Sequence, residues 1–240
     1  MENKNIEILE NLIVYKPVNK KIRLGREGDG GYVIIDGYNY DCFISAGIAN
    51  EMSFEIDFIK KYSNIYSLAF DGTIKSPDLP KEINFFKINI GSDNTNNVTN
   101  LKEYVKDYND VFIKMDIEGG EWDWIKGFRD FFPKIKQIVF EAHNKFSSHV
   151  TWTSYTSVLE SLQILNETHY LVHIHENNHG SFENIKNKNY PNFSELTFIR
   201  KEIRGFNTDN LPIKNLDFPT CSTMPTNDIN FWPFVFPKTK

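Results

Sequence analysis

The chain has few cysteines that could cross-link it and no long apolar segment that could span a membrane. Only two of its 240 residues are cysteines, Cys42 and Cys221, and this pair has neither the spacing of a metal site nor the number that a disulfide framework needs. A reducing compartment is therefore the default. The N-terminus lacks the basic segment and apolar core of a signal peptide, and no apolar run approaches the roughly 20 residues of a membrane span. These absences predict a cytoplasmic protein without a transmembrane segment.

Positive charge is also scarce. The 27 Lys and Arg residues are outnumbered by 32 Asp and Glu residues, and the net charge is -5. Nucleic-acid-binding proteins usually present a basic face, so we do not expect a nucleic-acid partner. The hydrophobic fraction of 40% suffices for the core of one large domain. We predict a domain over residues 1–205, covered by an N-terminal helix and loop, with a proline-rich tail at 206–240 that packs on it.

The most informative stretch is residues 111–122, VFIKMDIEGGEW. An apolar run ends abruptly in three carboxylates with two glycines between them. Unpaired buried charge is costly, so the chain must leave the core at Asp116. In open α/β sheets, ligands lie at the carboxyl edge of the strands. The stretch therefore predicts both a buried strand and a site at its end.

Candidate strands alternate with candidate helices along the rest of the chain. We predict strands over 41–45, 65–70, 84–90, 111–115, 137–143, 170–175 and 196–200. We predict helices over 6–15, 53–62, 100–108 and 151–166, with a further helix after Gly120. This alternation favours the α/β class, with a mainly parallel sheet and helices on both faces.

Two strand ends carry features of a ligand site. The turn SAGIANE, residues 45–51, opens a helix, and Gly47 would let a ligand approach the backbone closely. It is not the dinucleotide pattern G-x-G-x-x-G, which disfavours a nicotinamide cofactor. Asp71 ends the next strand, where a carboxylate can accept hydrogen bonds from ribose hydroxyls. The alternatives are a plain tight turn and a turn Asp preceding Gly72.

Residues 29–32, DGGY, form a third candidate. Two glycines near Arg23 and Arg26 suit a loop that folds over a ligand, and the arginines could pair with a carboxylate or a phosphate. A β-turn flanked by solvated ion pairs is the simpler interpretation.

Acidic and imidazole side chains also gather at the ends of three strands. Glu141 and His143 are two residues apart on one strand, and His173 and His175 on another, so each pair should share a face. Together with Asp116, they could hold a divalent metal such as Mg²⁺ or Mn²⁺. The alternative is that they support loops through hydrogen bonds. Glu118 and Glu121 are interpreted as solvated or helix N-terminal charges.

Residues 114–121, KMDIEGGE, resemble the K-x-D-x-E-G-x-E segment of FkbM-type S-adenosylmethionine-dependent methyltransferases. DGGY at 29–32, FEAH at 140–143 and HIHENN at 173–178 are similar to segments of a bacterial, sugar O-methyltransferase-like branch. The resemblance implies a Rossmann-like class I fold with an antiparallel seventh strand. It implies a donor, S-adenosylmethionine, whose methionine part lies at the Gly47 turn and whose ribose lies on Asp71. We expect the donor to contact Ser45, Gly47, Asn50, Glu51, Asp71, Gly72, Asp29 and Tyr32.

The resemblance also implies O-methylation of a sugar hydroxyl in surface polysaccharide biosynthesis, with a nucleotide-linked or polysaccharide-linked sugar as acceptor. Asp116, Glu141 and His143 would hold the metal, and Asp116, His143 and His175 would form the catalytic group, with a histidine as base. The alternatives are a polyketide or other small-molecule hydroxyl as acceptor, a metal-dependent hydrolase, and a donor-binding module without catalysis. The apolar residues 231–236 could pack on a second copy of the chain, although packing on their own domain is simpler.

Overall fold

A seven-stranded sheet forms the centre of the molecule. The computed structural model describes residues 2–75, 77–146 and 154–238. The strands are β1 Tyr15–Pro17, β2 Lys21–Leu24, β3 Tyr32–Ile35, β4 Cys42–Ala46, β5 Tyr66–Phe70, β6 Ile83–Phe86, β7 Asn89–Ile90, β8 Val98–Thr99, β9 Val111–Met115, β10 Ile135–Ala142, β11 His169–Glu176, β12 Phe182–Ile185, β13 Lys188–Pro191, β14 Ser194–Arg200 and β15 Ile203–Phe206. The helices are α1 Glu2–Glu10, α2 Ser53–Lys61, α3 Lys102–Val105, α4 Glu121–Phe128 and α5 Tyr155–Thr168, with a 3-10 helix at Arg129–Lys134.

The central sheet has the strand order β11-β14-β10-β9-β4-β5-β6. Strand β14 is antiparallel to its neighbours β10 and β11, and the other pairings in this sheet are parallel. The predicted α/β class is confirmed, and so is the Rossmann-like class I arrangement that the resemblance implies. Strands β4 and β9 lie side by side. The chain continues from β4 to its other neighbour, β5, and from β9 to its other neighbour, β10, so the two continuations run toward opposite edges of the sheet. This pair is a topological switch point, where open α/β sheets bind ligands.

The sheet is covered on both faces. Alternate residues of β4 point to opposite sides, so Cys42 and Ile44 belong to one apolar cluster and Phe43 to the other. The first cluster contains residues of α1, α4 and α5, whereas the second contains residues of α2 and β3. Phe43 stacks on Phe58 of α2 at 4.1 Å between ring centroids. This double burial explains why the central strands are continuous apolar runs.

The register brings three strand ends to one level. Ala46 pairs with Phe70 on β5 and with Met115 on β9. The chain therefore leaves the sheet at the same edge after each of these strands. The residues that follow, Gly47, Asp71 and Asp116, are neighbours in space because of this register.

Several predicted boundaries are wrong. The third strand ends at Phe86 and not at Ile90, because Phe86 turns back to accept hydrogen bonds from the backbone N–H groups of Asp71 and Ile88. Asn89–Ile90 pairs instead with Val98–Thr99. The helix expected over 100–108 is only Lys102–Val105, since Leu101 has a left-handed φ of 68° and cannot belong to it. The N-terminal helix ends at Glu10, and α5 extends to Thr168. The start predicted for α5, 151–153, lies outside the described residues.

The chain beyond β15 follows the molecular surface without further strands or helices as far as residue 238. Its backbone is held by the rest of the molecule. Asn207 N–H donates to Val14 O, and Asn178 bonds to residues 221 and 224. None of the helices in the described ranges combines the length and apolarity that a membrane span requires.

Candidate functional site

Two adjoining cavities open at the carboxyl edge of the sheet. The small cavity, about 300 Å³, is lined by Gly47, Ala49, Phe70, Asp71, Thr73, Ile88, Asn89, Ile90, Asp116, Ile117 and Glu118. The large cavity, about 920 Å³, is lined by Asp29, Gly30, Tyr32, Gly47, Ile48, Ala49, Glu51, Lys114, Asp116, Glu118, Glu141, His143, Asn144, Asn177, His179, Gly180, Ser181, Phe193, Thr220, Cys221 and Ser222. Gly47, Ala49, Asp116 and Glu118 belong to both walls. A ligand lying across this shared wall can reach both cavities.

Gly47 is required where the two cavities meet. Its φ is 71°, and a Cβ built there would lie 1.6 Å from the carbonyl oxygen of Asp116. No other residue fits without moving the backbone. The buried ammonium of Lys114 donates to Gly47 O at 2.6 Å and lies 3.9 Å from the carboxylate of Glu55. This lysine ties the turn after β4 to the end of β9.

Asp71 faces the small cavity with its carboxylate already oriented. Oδ2 accepts from Ala49 N–H at 2.9 Å, and Oδ1 accepts from Thr73 N–H at 2.7 Å and from the Thr73 hydroxyl. Burial opposes ionisation, but these hydrogen bonds lower the pKa of Asp71 below its usual value. A carboxylate oxygen has two lone pairs, so Oδ2, which accepts only from Ala49, can still accept a ligand hydroxyl.

The other residues expected at the donor site are placed less uniformly. Asp29, Tyr32 and Glu51 line the large cavity, with Glu51 paired to Arg26 at 3.0 Å. Ser45 lines neither cavity, because its hydroxyl is buried and donates to Glu55. Asn50 is exposed and lines neither cavity.

Gly72 also lies behind the wall of the small cavity rather than on it. A Cβ at Gly72 would lie 2.2 Å from the side-chain oxygen of Asn89, and Asn89 itself lines that cavity. Gly72 therefore makes room for a lining residue.

Asp116, Glu118 and His143 form the tightest polar group. Each contributes one ligand-type atom, and these atoms lie within 4.8 Å of one another. Asp116 Oδ2 accepts from the Tyr32 hydroxyl at 3.3 Å, while Oδ1 is buried and has no hydrogen-bond partner among the described residues. The Glu118 side chain is 87% exposed and reaches to 3.5 Å from His143 Nε2. Buried polar atoms are normally paired, so an unpaired carboxylate oxygen points to a missing partner.

His143 is held by a buried carboxylate. Its Nδ1 lies 3.2 Å from Oε1 of Glu121, and Glu121 is fully buried, with Oε1 also accepting from Ile117 N–H at 3.0 Å. Burial alone would lower the pKa of His143. The hydrogen bond and charge of Glu121, with the charges of Glu141 and Asp116, raise the pKa to about 9. The contact at Nδ1 leaves Nε2 facing the large cavity, where Glu118 lies.

Glu141 stands beside this group. Its Oε2 is 3.8 Å from His143 Nε2, and its other oxygen accepts from the Asn177 amide. Burial, followed by the charge of Asp116, raises the pKa of Glu141 to about 8. Glu141 lines the large cavity but is not in the tightest group, where Glu118 stands instead. Glu118 is exposed and Glu121 is the first residue of α4, in agreement with their interpretation as solvated or helix N-terminal charges, but that interpretation misses their contacts with His143.

His175 is not brought together with Asp116 and His143. It is 1% exposed, lies 3.4 Å from the Glu195 carboxylate and lines neither of the two cavities. Its neighbour on the same face, His173, bonds to Asp217 of the tail at 2.8 Å. Strand β11 is separated from β9 by two strands of the sheet, so the histidines belong to a distant, covered edge.

Sequence reasoning also missed part of the wall of the large cavity. Residues 177–181 follow β11, and residues 220–222 belong to the tail. For the asparagines at 177–178 the sequence allowed two interpretations, binding of sugar hydroxyls or an ordinary turn. The tail has no periodicity and no motif, so no local signal in the sequence marks Thr220, Cys221 and Ser222.

Comparison with known proteins connects this geometry to a family. Residues 26–172 match the methyltransferase FkbM domain. No curated protein matches the sequence significantly.

Similar solved structures share only low sequence identity with the chain. A putative ribosomal RNA methyltransferase from Plasmodium falciparum is 14% identical, over 70% of this chain and 89% of that one, with a TM-score of 0.37. A precorrin-6y C5,15-methyltransferase from Geobacter metallireducens is 9% identical, over 68% and 82%, with a TM-score of 0.37. A putative methyltransferase complexed with its Trm112 activator from Haloferax volcanii is 7% identical, over 70% and 85%, with a TM-score of 0.38. Identities this low say nothing about the acceptor.

Proposed function

We propose that this chain, which belongs to the FkbM methyltransferase family and is an S-adenosylmethionine-dependent methyltransferase, methylates a sugar hydroxyl of a surface polysaccharide of the capsule or lipopolysaccharide type. One observation carries the proposal. Two cavities of different chemistry share a wall at the switch point of the sheet, and Gly47 and Asp116 belong to that wall. A donor in one cavity and an acceptor in the other would meet beside Asp116.

The small cavity suits the donor. Asp71 offers a carboxylate to the ribose hydroxyls, and Ile88 and Ile90 offer apolar contacts beside it. The methionine part would then lie at Gly47, where the missing Cβ allows close approach. Methyl transfer needs the acceptor oxygen in line with the sulfonium carbon, and the shared wall is where that alignment occurs.

The large cavity suits an uncharged sugar. Asn177, Ser181 and Ser222 provide short amide and hydroxyl groups for sugar hydroxyls, and Phe193 adds an aromatic ring. Acidic side chains outnumber basic ones on this wall: Asp29, Glu51, Asp116, Glu118 and Glu141 line it together with Lys114 and His143. This charge would repel a phosphate group. The balance favours a polysaccharide-linked sugar over a nucleotide-linked one.

The tightest polar group fits a divalent metal. The orphaned Asp116 Oδ1 and the carboxylate of Glu118 are oxygen donors of the kind that Mg²⁺ and Mn²⁺ prefer. His143 is oriented through Nδ1 by Glu121, the arrangement common for metal-bound histidines. Asp116, Glu118 and His143 would hold the ion, with Glu141 at the margin. A bound metal would lower the pKa of the acceptor hydroxyl.

The proton of the acceptor hydroxyl then needs a base. His143 can take this role when its Nε2 is free and has lost its proton, which its pKa of about 9 favours at alkaline pH. When Nε2 binds the metal, Glu141 is the alternative base, because its Oε2 lies 3.8 Å from that nitrogen. His175 is too deeply covered to reach an acceptor in the large cavity. Of the two histidines expected in the catalytic group, His143 and His175, we therefore propose only His143 as a base.

Two measurements test the proposal together. Calorimetric titration with S-adenosylhomocysteine reports donor binding. Transfer of a labelled methyl group from S-adenosylmethionine to a panel of methyl glycosides, with phenolic hydroxyls as comparison, reports the acceptor class. We expect donor binding, transfer to at least one glycoside, and loss of transfer in EDTA that Mg²⁺ or Mn²⁺ restores. Donor binding with transfer to phenols alone would reject a sugar acceptor, and transfer that persists in EDTA would reject the metal.

A further inference from the structure

A stretch of the C-terminal tail forms part of the wall of the large cavity. Thr220, Cys221 and Ser222 line it together with Asp116 and His143. We propose that the 216–224 segment selects the acceptor sugar. This inference rests on the proposed function, since it assigns a role to one wall of the same site.

One buried amide holds the part of the segment from Cys221 to Met224. Asn178 is 3% exposed, and its Nδ2 donates to Cys221 O at 2.9 Å and to Met224 O at 3.0 Å. Its Oδ1 accepts from Cys221 N–H at 2.8 Å. Both the donor and the acceptor ends of the amide are therefore engaged by the segment. Such a bonded backbone presents a defined surface, which is what discrimination between similar sugars needs.

Arg23 connects the segment to the opposite loop. One guanidinium nitrogen donates to Leu216 O at 3.0 Å, and the group lies 5.2 Å from the Phe218 ring centroid. The remaining nitrogens donate to Arg26 O at 2.9 Å and Gly28 O at 2.5 Å. The loop held in this way carries Asp29 and Gly30, which also line the large cavity. The arginine thus fixes the distance between two walls that are almost 200 residues apart in the sequence.

A third contact, between Asp217 of the segment and His173 of β11, is buried. The fully buried carboxylate of Asp217 accepts from Ile213 N–H at 2.6 Å and bonds to His173 Nε2 at 2.8 Å. The His173 and His175 strand, which sequence analysis assigned to the metal site, therefore serves as the anchor for this segment. Asn227 N–H donates to Glu176 on the same strand at 2.5 Å.

The chain beyond the family match contributes to the large cavity alone. All the residues that line the small cavity lie within the matched residues 26–172. Asn177, Ser181 and Ser222 lie beyond residue 172 and line only the large cavity, where they join Tyr32 and Asn144 of the matched region. The residues after 172 therefore form part of the acceptor wall and no part of the donor wall.

Filling the cavity from this wall tests the inference. Ser222 is exposed and lines the cavity, so Ser222→Trp adds bulk there without disturbing a packed interior. Thr226→Trp is the matched control, because Thr226 is equally exposed in the tail and lines neither cavity. The readouts are labelled methyl transfer to the panel of methyl glycosides and binding of S-adenosylhomocysteine. We expect Ser222→Trp to lower kcat/KM by tenfold or more, mainly through KM, with donor affinity within twofold of wild type. Thr226→Trp should leave both unchanged.

The outcomes separate the two proposals. If the wild-type protein methylates no glycoside, the sugar proposal fails, and this inference fails with it. If the wild-type protein methylates a glycoside and Ser222→Trp keeps the same kcat/KM and preference, the inference is overturned while the proposed function stands. Asn178→Ala, which releases the segment without adding bulk, should raise the acceptor KM without changing donor affinity. Where Asn178→Ala does not fold, Ser222→Trp alone decides the result.

Discussion

The two cavities are built in different ways. The small cavity takes its wall from four stretches, residues 47–49, 70–73, 88–90 and 116–118, which follow strands of the central sheet or a short turn. The large cavity takes its wall from residues between Asp29 and Ser222, including the loop between β2 and β3 and the tail. The first depends on backbone geometry at the sheet edge, whereas the second depends on long-range contacts. Donor binding and acceptor binding should therefore respond to different substitutions.

The largest effect is expected from Asp116→Asn, which should lower turnover without weakening donor binding. Asp116→Asn keeps the side chain's shape and removes its charge, so turnover should fall roughly 10²- to 10⁴-fold if the charge serves metal binding or proton transfer. Affinity for S-adenosylhomocysteine should stay within a few fold. Labelled methyl transfer and calorimetry measure the two quantities, and Asp107→Asn, at an exposed position, is the control. Turnover that survives Asp116→Asn would make Asp116 a structural residue.

The opposite result is expected from substitution of Asp71, which should weaken donor binding without changing the acceptor KM. Hydrogen bonds to charged groups contribute about 1.5–3 kcal/mol, so Asp71→Asn should weaken S-adenosylhomocysteine binding roughly 10- to 150-fold. The acceptor KM at saturating donor should not change. Asp78→Asn, exposed and on neither wall, is the control for calorimetry. An acceptor KM that rises in parallel with the donor Kd would show that the two cavities are not independent.

A smaller effect is expected at Glu121, which acts through His143. Loss of an outer carboxylate typically costs roughly 10- to 100-fold in activity or metal affinity, so Glu121→Gln should lower kcat by that factor. Because the hydrogen bond and charge of Glu121 are the largest contributions that raise the pKa of His143, the substitution should also lower that pKa below about 9. Titration of the imidazole by NMR, without added metal, measures it. Glu103→Gln, at an exposed site, should leave both values unchanged, and an unmoved His143 pKa in Glu121→Gln would contradict the assignment.

The smallest effect on catalysis is expected at Asp217, where stability should change instead. Burial opposes ionisation, but the charge and hydrogen bond of His173 lower the Asp217 pKa from 3.8 to about 2. A lowered carboxyl pKa stabilises the fold above the unfolded value, and this contribution disappears as pH falls from about 4 to about 2. By linkage, this shift of the Asp217 pKa corresponds to about 2.5 kcal/mol. Burial lowers the pKa of His173, so the imidazole becomes charged only below its usual range and, at pH 7, the hydrogen bonds to Asp217 make this contribution.

Asp217→Asn should therefore reduce the free energy of unfolding at pH 7 by an amount of this order. The difference between variant and wild type should shrink as the pH falls through 3. Denaturant unfolding at pH 7, 4 and 3 measures this, with Asp228→Asn, exposed in the same tail, as the control. A difference that does not depend on pH would mean that the charge is not what anchors the tail.

The strands of the sheet were predictable because their signal is local. Residues 111–115 are buried and, apart from Lys114, apolar, as a central strand requires. Gly47, Asp71 and Asp116 follow strand ends that the register aligns. The boundary of the third strand was not predictable. A turn closed by the hydrogen bond from Ile88 N–H to Phe86 O takes the chain out of that strand.

The histidines show the limit of reasoning from alternation. A spacing of two residues indicates that His173 and His175 share a face, but it does not indicate which residues cover that face. The tail covers that face through Asp217, and two strands, β14 and β10, lie between β11 and β9. His143, just past the end of β10, escapes that burial pattern and reaches the large cavity.

The sequence by itself determined the α/β class, the buried strands and the polar endings at Gly47, Asp71 and Asp116, because each depends on residues close together in the chain. Only the tertiary structure decided which polar residues share a cavity. Glu121 contacts His143 from 22 residues away, and Asn178 holds Cys221 from 43 residues away. Such contacts arise from the packing of whole elements, and no local pattern encodes them.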